Sequence, residues 1–123
     1  MAEDLKVYTD EEIEEKLSAE LPGWYLEGGW IRRYYKTDGW QATMMLVNTI
    51  GYLAEAAYHH PDLALSWAKV WVKLQTHSAG GITDKDFELA RKIESVVLWR
   101  PEKESVFGGG TPNKWVRSGE VRG

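Results

Sequence analysis

The chain of 123 residues is long enough to bury one core and too short for two domains. It is 43% hydrophobic and 28% charged, the balance of a folded protein, and its net charge of −4 argues against a nucleic-acid binder, which usually carries a basic excess. The lack of cysteine excludes a disulfide scaffold, a thiolate metal site and a cysteine nucleophile. No apolar run reaches the 18 or so residues of a membrane span. The acidic N-terminal stretch has no signal-peptide core, so a soluble cytoplasmic protein without a membrane partner is expected.

Thr9-Asp10-Glu11-Glu12 predicts the first helix. Thr9 stands at the cap, Glu12 three residues on as in a capping box, and acids crowd the positive end of the helix dipole. Ile13, Leu17 and Leu21 continue at helical spacing until Pro22-Gly23. Two aromatic-rich runs, from Trp24 and from Trp30, flank Gly28-Gly29 and predict a β-hairpin. From Trp40 to about Tyr58 an apolar stretch puts Leu46, Ile50, Leu53 and Ala57 on one helical face, widened by Met44, Val47 and Ala54. Gln41, Asn48 and Glu55 interrupt it, which favours a central helix packed on a sheet, and Pro61 ends that helix near His59.

After Pro61 the period becomes two. Leu63 and Leu65, then Val70, Val72 and Leu74, predict a second hairpin turning near Ala68-Lys69. Trp71, Lys73, Gln75 and His77 share the opposite parity, with His77 expected at the end of the strand. Thr83 begins a third helix with Asp86 at its third position, and Phe87, Ala90 and Ile93 carry it towards Val97. The predicted fold is α+β, with element order α-β-β-α-β-β-α and a four-stranded antiparallel sheet covered on one face by three helices. Residues 1–98 are expected to form the domain. Residues 99–123, broken by Pro101, Gly108-Gly109-Gly110 and Pro112, are expected to form an arm, docked on the body or on a neighbour through Trp115.

His59, His60 and His77 lie within 19 positions of one another, at the ends of predicted elements, where side chains face an open surface. A metal site is one reading, because imidazole suits zinc, copper or iron. The chain has no HxxxH or HxH pair, however, and neighbouring side chains on a helix diverge by about 100°. Proton transfer is the stronger reading, since two imidazoles on opposite sides of a substrate can remove one proton and protonate a leaving group. Trp24, Tyr58, Trp67 and Trp71 are candidate walls for a flat heterocycle. Glu55, one helical turn before His59, is a candidate to orient that ring or to bind the N–H edge of a heterocycle; Asp86 is first of all a helix-terminal acid.

Taken together, Glu55, His59-His60-Pro61, Trp67, His77 and Asp86 resemble the signature of the pterin-4a-carbinolamine dehydratases. Thr76-His77, Gly80-Gly81 and Gly23-Trp24 add to the resemblance, which covers roughly Leu17 to Val97. It implies a four-stranded sheet with three helices on one side. The reaction it implies is loss of water from a 4a-hydroxytetrahydropterin to give a quinonoid dihydropterin, with neither metal nor organic cofactor. Carried over residue by residue, His59 and His77 are the expected acid/base pair, and His60 binds the pterin and assists. Glu55, Tyr58, Gln75, Thr76, Ser78 and Asp86 complete the expected substrate-binding set. Tyr58 stands where the family commonly has asparagine, which leaves only a backbone contact at that position. The implied partners are a pterin substrate and further copies of the chain, as a dimer or tetramer. The alternative implied by the same fold is a non-catalytic assembly factor or dimerisation cofactor, such as those serving the carbon-fixing carboxylase, acting on a protein partner.

Overall fold

Three helices cover one face of an antiparallel sheet in the computed structural model, which describes residues 5–119. The outer ends of the expected domain and arm, residues 1–4 and 120–123, lie outside the described residues. Helix α1, Asp10–Glu20, starts on a reciprocal capping box: Thr9 Oγ1 accepts the Glu12 N–H at 3.2 Å and Glu12 Oε1 accepts the Thr9 N–H at 2.9 Å. Its apolar row, Ile13 and Leu17 followed by Leu21, is buried. Strands β1, Tyr25–Glu27, and β2, Trp30–Thr37, are joined by Gly28 and Gly29, at φ of 62° and 82°. Two successive residues at positive φ make the turn whose twist matches the strands, and glycine adopts it without steric cost.

Helix α2, Trp40–Ala57, buries Ala42, Thr43, Leu46, Ile50 and Ala54 against the sheet. Leu53 is half-buried and Ala57 exposed, so the apolar row leaves the core before the helix ends. Among the described residues no helix is long and apolar enough to cross a membrane. Strands β3, Asp62–Ser66, and β4, Lys69–Leu74, form the second hairpin. Its turn is Trp67-Ala68, one position earlier than expected, because Lys69 already pairs with Ser66. Val70, Val72 and Leu74 face the helices and Trp71 and Lys73 the other side, as alternation requires. Burying each such aliphatic side chain contributes about 1.5–3 kcal/mol.

The strand order is β1-β2-β4-β3, and helix α3, Asp84–Val97, closes the core with Phe87, Ala90 and Ile93. Beyond the expected four strands there is a fifth. Strand β5, Val116–Ser118, pairs with Tyr35–Thr37 of β2. Since β4 occupies one side of β2, β5 shares the other side with β1, which reaches only Trp30–Arg32. The segment after Trp99 thus returns to extend an edge that β1 is too short to cover. Val116 is buried and Trp115 half-buried against the core.

An ion pair between buried Arg33 and half-buried Glu94 fastens α3 to this part of the sheet. Glu94 accepts from Arg33 Nη2 at 2.7 Å, Arg33 Nε at 2.9 Å, the Tyr35 hydroxyl at 2.6 Å and Trp24 Nε1 at 3.1 Å. Arg33 Nη2 also donates to Ser118 Oγ of β5 at 2.8 Å. Burial alone pushes the Glu94 carboxyl upward, but the hydrogen bonds from Arg33 and Tyr35 outweigh it and hold Glu94 below the usual carboxylate range. Burial, with Glu94 alongside, pushes the Tyr35 hydroxyl far up, so it stays protonated and donates.

Candidate active site

The histidines are placed by the way two elements end. Helix α2 stops at Tyr58, which takes the left-handed conformation at φ 52° and ψ 44°. The chain then leaves the helix axis, and His59 N–H bonds back to the Ala54 carbonyl at 3.0 Å. His59 and His60 therefore lie beyond the helix, and the helical angle between neighbours does not apply to them. On the opposite side, Thr76 forms an isolated bridge with Gly81 after β4. His77 starts a short 3₁₀ turn, His77–Ala79, and does not end the strand as the alternation predicts. Gly80, at φ 76°, closes that turn.

Asp86 is the hub. It is fully buried, and its Oδ2 accepts the Thr83 N–H at 2.9 Å, completing the capping box of α3. The same Oδ2 accepts the Thr76 hydroxyl at 2.7 Å, while Oδ1 lies 2.7 Å from His59 Nε2. Proton directions follow from the donor inventory. Thr76 spends its one hydroxyl proton on Asp86, so in the 2.8 Å contact between Thr76 and Thr83 it is Thr83 that donates. A carboxylate that already accepts two hydrogen bonds takes a third from His59 Nε2–H, and this leaves Nδ1 as the ring's basic nitrogen. The His59 side chain is 13% exposed, so one edge of the ring stays reachable.

Tyr58, His59, His60, Gln75, Thr76, His77 and Ser78 line one cleft of about 320 Å³. Of the expected set, Asp86 sits behind the cleft wall and reaches it through His59. Glu55 pairs with His60, not with His59: its Oε1 lies 2.9 Å from His60 Nε2. The left-handed residue at Tyr58 swings His59 away from the α2 face that carries Glu55, which is why the one-turn expectation fails. Both members of the Glu55–His60 pair are largely exposed, so it is a weak contact.

Three of the four expected aromatic walls are elsewhere. Trp24 is in the core, donating to Glu94; Trp67 is exposed at the β3–β4 turn; Trp71 stacks on Tyr34 on the open face of the sheet, centroids 5.4 Å apart. Strand alternation puts Trp71 on the open face, while Trp24 precedes β1 and Trp67 lies in the β3–β4 turn. Two residues near the cleft were missed. Lys85 lines it from the first turn of α3, and Trp30 meets the His77 ring edge-on at 5.6 Å. The adjacency of Lys85 to Asp86 was the available signal for the first. The register of β2 against β4, needed for the second, is not written in the sequence.

A larger hollow, about 420 Å³, lies on the open sheet face between Arg32, Asp62, Trp71 and Lys73. It holds no histidine; the three histidines of the chain all line the smaller cleft. Among the described residues no group of three or more histidines and carboxylates is placed to hold a metal ion.

The sequence pattern described as "Pterin 4 alpha carbinolamine dehydratase" matches residues 6–96. The chain belongs to that family. A protein of Aquifex aeolicus provisionally named a pterin-4-alpha-carbinolamine dehydratase is 45% identical over 89 residues, 72% of this chain and 89% of that one. The crystal structure of a transcriptional coactivator/pterin dehydratase from Brucella melitensis superposes with a TM-score of 0.68 at 30% identity, covering 75% of this chain and 99% of that one. A pterin dehydratase-like protein described as a RuBisCO assembly factor in the α-carboxysome shares the fold alone, with a TM-score of 0.51, 12% identity, and coverage of 61% and 87%. The family match ends at residue 96, so the segment carrying β5 lies beyond it.

Proposed function

We propose that this chain eliminates water from a 4a-hydroxytetrahydropterin to give a quinonoid dihydropterin, with His59 and His77 as the acid/base pair. In a carbinolamine the hydroxyl and a nitrogen share one carbon. One imidazole takes the N–H proton while the other gives a proton to the departing hydroxyl. A C=N bond forms as the C–O bond breaks, and the products are water and the quinonoid dihydropterin. The step is redox-neutral, so no electron acceptor enters it. The observation that carries this reading is the contact of His59 with buried Asp86, inside a cleft shared with His60 and His77. Asp86 fixes which nitrogen of His59 bears the proton, and a proton gained at Nδ1 leaves the ring's charge facing a carboxylate. His60, Gln75 and Ser78 line the same cleft and are assigned to hold the ring.

The assignment of the pair rests on position, and kinetics tests it. His59→Ala and His77→Ala are expected to lower kcat by roughly 10²-fold or more in a stopped-flow assay of carbinolamine dehydration, the scale of a positioned acid or base. His60→Ala acts more on KM. Two imidazoles working in opposite protonation states give a bell-shaped pH profile of kcat/KM, whose two limbs belong to the pair. A wild-type chain that does not accelerate the reaction contradicts the reading and favours the non-catalytic alternative.

The same reading extends to assembly and place. With the β2 edge covered by β1 and β5, strand β3 is left at the other end of the sheet with unpaired backbone groups. Copies joined through that edge, or through the helical face, form the dimer or tetramer proposed for a cytoplasmic enzyme. Light scattering at a single mass of one chain contradicts the oligomer.

A further inference from the structure

The three histidines of the cleft are held in three different ways. His59 Nε2 lies 2.7 Å from buried Asp86, and His60 Nε2 lies 2.9 Å from Glu55. Among the described residues the His77 ring makes no hydrogen bond and no ion pair, and its aromatic contact is with the indole of Trp30. The two rings meet edge-on, with centroids 5.6 Å apart and planes at 84°. His77 is exposed, and an exposed side chain hops between rotamers unless a neighbour bears on it.

The register of the sheet brings Trp30 to that place. Ile31 of β2 faces Leu74 of β4 and Arg32 faces Lys73, so Trp30 stands level with Gln75. Diagonal neighbours, two residues along a facing strand, lie within reach of aromatic and long side chains. For Trp30 these are Lys73 and His77. Strand β4 ends at Leu74, but Thr76 keeps an extended backbone, at φ −104° and ψ 94°, and carries the diagonal on to His77. Lys73 Nζ lies 4.4 Å from the indole centroid, a cation over an aromatic ring. Gln75 Nε2 donates to the Gly29 carbonyl at 3.3 Å and ties the turn before Trp30 to the end of β4. The half-buried indole is therefore fixed by neighbours of its own where it meets His77.

Resting on the dehydratase reading above, we propose that Trp30 is the positioning residue of His77, setting the direction of the imidazole from outside the cleft. A ring contact orients an imidazole and leaves both of its nitrogens unpaired. His59 commits Nε2 to Asp86 and exchanges protons at Nδ1; His77 keeps Nδ1 and Nε2 for the substrate and the departing water. Edge-to-face pairing has a preferred geometry, so losing the indole frees the ring to turn away from the reacting atoms.

The test pairs kinetics with NMR on the full chain. Trp30→Leu keeps an apolar side chain without the aromatic ring. It is expected to lower kcat about 10-fold and to change KM by less than about 2-fold, since a misplaced catalytic group costs rate before it costs binding. Trp30→Phe restores an edge-on partner and is expected to recover kcat to within about 3-fold of wild type. In a His77→Ala background Trp30→Leu is expected to cost less than about 2-fold, because a positioning residue has nothing left to position. The ring protons of His77 shift in Trp30→Leu as the indole ring current is lost, while those of His60 stay in place. An unchanged kcat in Trp30→Leu overturns the proposal, and so does an equal loss in the His77→Ala background, or a change confined to KM; a wild type that still dehydrates leaves the dehydratase reading intact in each case. A wild type without activity overturns that reading and this proposal together.

Discussion

Helices α1 and α3 begin with the same device, threonine at the cap and an acid three residues on, yet the two do different things. At α1 the box stands in solvent. Glu12 Oε1 holds the Thr9 N–H and Oε2 takes Lys6 Nζ at 2.7 Å, and all of this serves the helix. At α3 the box is buried, and Asp86 is shared. One oxygen caps the helix and binds Thr76; the other binds His59. The local grammar is identical. What separates them is burial, which requires both oxygens of Asp86 to find donors, and the arrival of the Tyr58-His59 corner, which supplies the donor to Oδ1. A capping acid becomes a positioning residue when the fold brings it a histidine.

The largest expected contrast is in activity. Asp86→Asn keeps the size of the side chain but puts an amide where His59 needs an acceptor, and kcat is expected to fall by roughly 10²-fold or more. Glu12→Gln, the matching change at α1, is expected to leave kcat unchanged. Steady-state kinetics on both variants breaks the comparison if the two behave alike.

Stability gives the next contrast. Thr83→Ala removes a cap and leaves buried partners short of a hydrogen bond, at a cost of about 2 kcal/mol, the upper end for caps. Thr9→Ala at the exposed box is expected to cost about 0.5–1 kcal/mol. Urea unfolding midpoints at a common m-value measure both.

Tyr58 sharpens the comparison from the side of His59. It is a non-glycine residue in left-handed geometry and is 82% exposed, so its ring gains little from burial. Asparagine adopts that geometry more readily, and Tyr58→Asn is expected to stabilise the protein by about 1 kcal/mol, read as a rise of roughly 4 °C in Tm. An unchanged or lower Tm removes the strain account of this corner.

The smallest effect is in acid. The hydrogen bond from Lys6, followed by that from the Thr9 N–H, holds the Glu12 carboxyl below its usual value of 4.5. A carboxyl whose pKa is lower folded than unfolded contributes stability above that usual value and loses it as pH falls through the folded pKa. Glu12→Gln is therefore expected to flatten the acid limb of stability slightly below about pH 4.5, and salt to weaken the contribution. A variant with an unchanged acid limb contradicts it.

Much of this was legible in the sequence because it is local. Both capping boxes, the Gly28-Gly29 turn, the alternation of Val70, Val72 and Leu74 and the His59-His60-Pro61 run each depend on residues within a turn or two of one another. What was not legible depends on how distant segments meet. Val116-Arg117-Ser118 is three residues without periodicity, and it is a strand only because β2 offers an open edge. Arg33 reads as a polar residue in an aromatic run; its burial becomes tolerable only with Glu94, 61 positions away. Helical arithmetic pairs Glu55 with His59 but ends at Tyr58, and the partner of His59 is Asp86, 27 positions away.

The central claim is that Asp86 acts through His59. A double-mutant cycle on kcat tests it most directly, using wild type, His59→Ala, Asp86→Asn and the double variant. If the claim holds, each single change costs roughly 10²-fold or more and the double variant is no slower than His59→Ala within a factor of about 3, because residues acting as one unit are lost together. Losses that multiply, with the double variant slower than His59→Ala by the full cost of Asp86→Asn, would contradict it.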